Sequence, residues 1–222
     1  MAAPALTDHA TSVRGYAMRV SALSVSGTPL TGTSGSVWVS GQFLNVQFTP
    51  VNEAGEDIAN KAADGSLCQI LKTPDILKYY TVHIEICNPE PELIVLLSGG
   101  TTFTDPGSTP VTGYQSLQAG QLTTSGVGNG VGIEVWSGAY VNGKPAAVKP
   151  YWVHVFPLTI LTLMGTRNIE NGFIATVLEG YCFGNANFFP GGGTPVLQIP
   201  TDKPYQADRA AALPTILNGF TS

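Results

Sequence analysis

At 222 residues the chain can bury a substantial core, and all-β domains commonly reach this length as one unit. Charged residues make up only 11% of it, with a net charge of -5, so it lacks the clustered Lys and Arg that a nucleic-acid binder needs. Ordinary soluble domains carry about 25% charged residues; charge this sparse points to a surface that largely faces protein, as in a large assembly, or to a neutral surface of Ser, Thr, Asn and Gln.

Glycine (26) and proline (16) fall between short β-like runs, the punctuation of a mostly β domain. Ala17–Val25 reads as a first strand and Trp38–Thr49 as a second, with Leu44, Val46 and Phe48 on one face and Asn45 and Gln47 on the other. The segment from Val51 to Ser66 gathers Glu53, Glu56, Asp57, Lys61 and Asp64. It reads as either a solvated hairpin tip or an acidic lining or stacking loop of an assembly. Cys68–Leu71 and Tyr79–Cys87 read as consecutive strands joined through Thr73-Pro74-Asp75. Strict alternation puts Tyr80, Val82, Ile84 and Ile86 on a core face and His83 and Glu85 on the opposite one. Asn88-Pro89 then reads as a cap and first turn of a short helix, about 89–98, whose Leu93–Leu97 run stops at Gly99-Gly100.

Residues 99–130 are rich in Thr, Ser and Gly and read as long loops. Val131–Val141 reads as a strand ending in the hairpin signal Asn142-Gly143. Tyr151–Phe156 and Leu158–Met164 read as apolar strands on either side of a bend or bulge at Pro157. Phe173–Phe183 closes the series, with Phe173, Val177, Tyr181 and Phe183 in one register. Arms are expected at about 1–16 and 200–222, on a single domain spanning 1–222.

Chemistry-bearing motifs fail on context. Gly138–Lys144 has P-loop spacing, but Pro145 stands where a Ser or Thr must ligate Mg²⁺, and no helix follows. Gly126–Gly132 leads into a strand and lacks the dinucleotide fingerprint. His9, His83 and His154 have no neighbour at metal-ligand spacing, and Cys68, Cys87 and Cys182 are too few and too scattered for a disulfide framework. No catalytic, cofactor or metal site is expected, and Trp38, Trp136 and Trp152 read as core or interface anchors. The first residues lack a basic, apolar leader, and the apolar run Val153–Met164 is too short to span a bilayer, so no membrane insertion is expected.

Four segments, Glu85–Gly100, Gly132–Ala146, Pro150–Leu163 and Glu170–Asn185, occur in the order seen in major tail proteins of long-tailed actinobacterial phages, which the chain resembles from about Arg19 to Asn185. The acidic loop before Cys68 lies where such proteins carry one. The resemblance implies a tail tube fold: a two-sheet β-sandwich or barrel-like body, one short flanking helix and a long hairpin that docks onto neighbouring rings. It also implies a structural virion protein, made in the bacterial cytoplasm, that forms hexameric rings stacked into a tube. The implied partners are further copies of the chain, a tape-measure protein, tail tip and tail terminator proteins, and DNA in transit. Glu53, Glu56, Asp57 and Asp64 become candidates for the lumen or an inter-ring loop, and His83 and Glu85 for a subunit-contact face. The competing expectation is a β-sandwich decoration or glycan-binding module that uses its Trp and Tyr residues.

Overall fold

Alternating apolar residues drive most of the chain into antiparallel strands. The computed structural model describes residues 9–30, 36–61, 63–87, 90–107, 110–118, 130–163, 175–188, 202–214 and 219–220. In chain order the first strands are β1 (Thr11–Ala22), β2 (Val37–Ser40), β3 (Phe43–Glu53), β4 (Asp57–Lys61), β5 (Leu67–Lys72) and β6 (Ile76–Ile86). The helix α1 (Pro91–Ser98) follows, then the short strands β7 (Thr101–Phe103) and β8 (Gly113–Gln115). The remainder is β9 (Val131–Val141), β10 (Lys144–Pro145), β11 (Tyr151–Leu163), β12 (Thr176–Phe183), β13 (Gln206–Ala210) and β14 (Gly219–Phe220).

The body is a ten-stranded antiparallel sheet in the order β14-β2-β1-β9-β11-β12-β6-β3, with β10 on β9 and β13 on β11. The fold is thus mostly β with one short helix, as the composition predicts. The sheet is curled. The Phe48 ring on β3 meets the Phe156 ring on β11 at 5.2 Å although β6 and β12 lie between them in the hydrogen-bonded order. The expected two layers are therefore parts of one continuous sheet.

The main core lies inside this curl. Met18, Val20, Val82, Ile84, Ile86, Ile133, Phe156, Leu161 and Leu178 meet Leu93, Leu96 and Leu97 of α1 there. A second core on the other face joins Trp136, Val153, Val155 and Ala210 to Phe188. Between these two cores β1, β9 and β11 are covered on both faces, which explains why β9 is buried along most of its length.

Several boundaries differ from the sequence reading for local reasons. Trp38–Thr49 is two strands, broken at Gly41-Gln42, and a register shift between Phe43 and Asn45 turns Leu44 outward. The helix is capped at Glu90 with Pro91 in its first turn; Asn88 and Pro89 lie outside the described residues. Residues 99–118 are not all loop, because β7 and β8 pair. β11 runs unbroken through Pro157, but its register with β9 slips between Phe156 and Thr159, the expected irregularity. Phe173 lies outside the described residues. β1 begins at Thr11, and β13 and β14 pair with the body, so parts of both segments expected as arms are strands.

Candidate functional site

The acidic segment and the strand after it form one long hairpin. β3 and β6 pair from Phe43 opposite Ile86 to Glu53 opposite Ile76. The chain then crosses an elbow and pairs again as β4 and β5, from Asp57 opposite Lys72 to Lys61 opposite Leu67. So the two strands read as consecutive, β5 and β6, do not pair with each other. Each pairs with the strand that precedes the tip.

The elbow is tightly built. Thr73 N–H donates to the Glu56 carbonyl at 3.0 Å, and Gly55 N–H donates to Asp75 Oδ1 at 3.0 Å. A side chain at Gly55 would collide with the Thr73 carbonyl. Beyond the elbow every residue of β4 is exposed, and at the tip Asp64 accepts hydrogen bonds from Ser66 N–H and Oγ at 2.9 and 2.6 Å. Those bonds hold the Asp64 carboxyl below its ordinary value. Glu53 pairs with Lys78 at 3.1 Å across the arm, both well exposed; such a pair contributes little to stability.

The arm is also apolar. Ile58, Ile70, Leu71, Ile76 and Leu77 are all exposed, Ile70 at 63% and Ile76 at 66%. Single exposed aliphatic residues are ordinary, but five on one projecting hairpin are not.

The second feature is the outward face of β3, β6, β12 and β11. The register aligns Gln47, His83, Glu179 and Thr162 in one row across all four strands. Thr49, Thr81, Tyr181 and Ile160 form the next row. His83 Nδ1 lies 2.7 Å from Glu179 and Nε2 lies 3.2 Å from Glu85. The Glu179 hydrogen bond, more than the Glu85 one, raises the His83 pKa above its ordinary value. Above this row sits an open concavity of ≈ 520 Å³. Further along the same face the exposed Tyr181 and Phe183 rings gather around the half-buried Tyr79, with ring centroids 5.1 and 5.8 Å from it.

The two groups singled out in the sequence lie on different parts of the structure. Glu53, Glu56, Asp57 and Asp64 lie on the arm, whereas His83 and Glu85 lie on the sheet face. Glu53 is six residues beyond Gln47 on β3, about 20 Å along the strand. Glu179 was not picked out from the sequence. Its signal was its place in the outward register of Val177 and Tyr181, but its partner is 96 residues away.

Other groups are structural. Burial pushes the Cys182 thiol up to about 11, which leaves it unreactive at neutral pH. Among the described residues no cluster of His, Cys, Asp and Glu is arranged to hold a metal ion. Among them no helix is long and apolar enough to cross a membrane. No family model matches the chain, and no curated protein matches it.

Proposed function

We propose that this chain is a self-assembling structural protein of a phage tail tube, forming stacked hexameric rings that conduct DNA. The observation that carries this reading is the exposed hairpin arm, which leaves five large aliphatic side chains in water on either side of a hydrogen-bonded elbow. Burying one such side chain contributes about 1.5–3 kcal/mol, so an arm docked on a neighbouring copy supplies a large stabilisation. The outer edge of β3 supports the reading too, because β3 ends the sheet order among the described residues and gives an edge suited to lateral pairing. Sparse charge suits a surface buried between copies.

In this reading the row of Gln47, His83, Glu179 and Thr162 faces the lumen, where carboxylates keep DNA phosphates from sticking. The tape-measure, tail tip and terminator proteins are its further partners, and the virion is its location. Negative-stain electron microscopy of purified protein tests the reading: rings or tubes of uniform diameter are expected as concentration rises.

A second reading rests on the aromatic group of Tyr79, Tyr181 and Phe183 beside the polar concavity, which suits a glycan-binding decoration module. Saturable binding to a glycan array by a protein that stays monomeric would favour it.

A further inference from the structure

The start of β1 is bent by two bulges in succession. Val13, Gly15 and Ala17 stand opposite Gly138, Ser137 and Trp136, so Arg14 and Tyr16 are extra residues against β9. Arg14 has φ 53, in the left-handed region that a residue with a Cβ seldom occupies. Bulges re-aim side chains, and backbone strain of this kind gathers at functional surfaces.

The bulges and one glycine build a patch. Gly138 stands opposite Val13 on one side and Tyr151 on the other. A Cβ on Gly138 would lie 2.7 Å from the Tyr140 ring and 2.9 Å from the Tyr16 ring, so both rings close over its bare backbone. The Tyr16 ring packs edge-on against Tyr151 at 5.8 Å, and its hydroxyl lies 3.1 Å from that of Tyr140. The Arg14 guanidinium lies 5.8 Å from the Tyr16 ring centroid. It is exposed and forms no ion pair among the described residues. The three tyrosines are half-buried, and Val13 is 46% exposed. Tyrosine and arginine over an apolar floor is the composition of an interface centre.

Charge identifies the occupant. Neither His9–Met18 nor Val135–Tyr151 contains an acid, and together they hold Arg14, Lys144 and Lys149. The hairpin arm has the opposite balance, with five acids and three bases between Glu53 and Lys78. Glu56 and Asp57 are exposed there and form no ion pair among the described residues. They stand directly before Ile58, which the register sets opposite Leu71, and both of these aliphatic side chains are exposed. Arm and patch thus each combine exposed apolar surface with unpaired charge, of opposite sign.

We propose that the patch receives the arm of a second copy, with Arg14 on the Glu56 and Asp57 carboxylates and the tyrosine rings and Val13 against Ile58 and Leu71. This rests on the reading of the arm as the element that joins copies, and it names the surface the arm joins. The contact is heterologous, arm to patch, so each copy gives one and receives one.

The test is charge exchange between full-length chains, read by electron microscopy and light scattering. Arg14→Gln is expected to raise the concentration needed for assembly about tenfold, and Arg14→Glu to abolish assembly. Glu56→Lys with Asp57→Lys should also abolish it, while Lys203→Glu, which reverses an exposed cation elsewhere, should not. A one-to-one mixture of the Arg14→Glu chain and the doubly reversed arm chain should assemble, because each arm then meets a patch of opposite sign. That rescue also shows that both variants fold. A parent that never assembles overturns the tail tube reading and this inference together. A parent that assembles while Arg14→Glu assembles equally well, or while the mixture fails, overturns the inference alone. Binding of duplex DNA that Arg14→Glu abolishes while assembly persists makes phosphate the occupant and overturns it too.

Discussion

At the scale of single side chains, two of the 25 charged residues form an ion pair inside the sheet. Arg19 on β1 and Glu134 on β9 sit opposite each other in register and form a two-point ion pair, through Nε to Oε2 and through Nη2 to Oε1 at 2.9 Å. The Arg19 guanidinium also lies 5.3 Å from the Trp136 ring centroid. Glu134→Gln leaves a buried cation without its counter-charge and is expected to cost about 3–5 kcal/mol. Urea denaturation measures this, and a loss below about 1 kcal/mol would show that Arg19 finds another partner or water. The two described histidines of the body should titrate in opposite directions. The His83 pKa is raised by its carboxylate partners, so its stabilisation is complete below 6.5 and is lost as pH rises through the folded value. The His154 pKa is lowered by burial, so its contribution holds above 6.5 and is lost as pH falls towards the folded value. Imidazole resonances should place the two pKa values on either side of 6.5, with Glu179→Gln moving His83 down and leaving His154 in place. Both titrating on one side would contradict this account. Of these partnerships, only His83 beside Glu85 was legible in the sequence, because alternation alone puts them on one face. Glu179, Tyr205 and Ser137 reach their histidines through pairings between distant strands, and local periodicity carries no signal for those.

Elements with strong local chemistry were legible. Asn142 and Gly143 have φ 50 and φ 77, the turn that Asn-Gly favours, and they hold β9 against β10. Neither a P-loop nor a helix follows them. The alternation of β6 placed Val82, Ile84 and Ile86 in the core, where they lie. The β7–β8 hairpin was missed because three-residue strands in a Thr- and Gly-rich stretch show no period. The arm was legible only as an acidic tip. That β3 and β6 continue into β4 and β5 depends on the elbow, where Gly55 and Thr73 touch backbone to backbone. Gly55→Ala is therefore expected to displace the arm without loosening the core, since no described residue between 53 and 78 belongs to the buried clusters. Thermal unfolding should stay within about 1 kcal/mol of the parent while assembly fails. Unfolding that drops further would mean the arm folds as part of the body.

For the whole molecule, the β-rich class and single helix follow from composition and punctuation, but the curl does not. Closure depends on contacts such as Gly15 with Phe43 and Phe48 with Phe156, between strands far apart in the sheet order. The proposed tube assigns work to three parts of the surface: the arm joins rings, the β3 edge joins neighbours, and the row through His83 lines the bore. Exchanging Ile58, Ile70 and Leu71 for serine should abolish stacking, because about 5 kcal/mol or more of apolar burial is withdrawn from each arm. Glu85→Lys with Glu179→Lys should leave assembly intact and slow DNA passage. DNA ejection at the normal rate from such tubes would remove this face from the lumen. The most direct measurement is electron microscopy of the purified chain over rising concentration, alongside the triple serine variant. The account predicts rings or tubes of one diameter for the parent and none for the variant. A parent that stays monomeric at every concentration, or a variant that assembles as well as the parent, would contradict it.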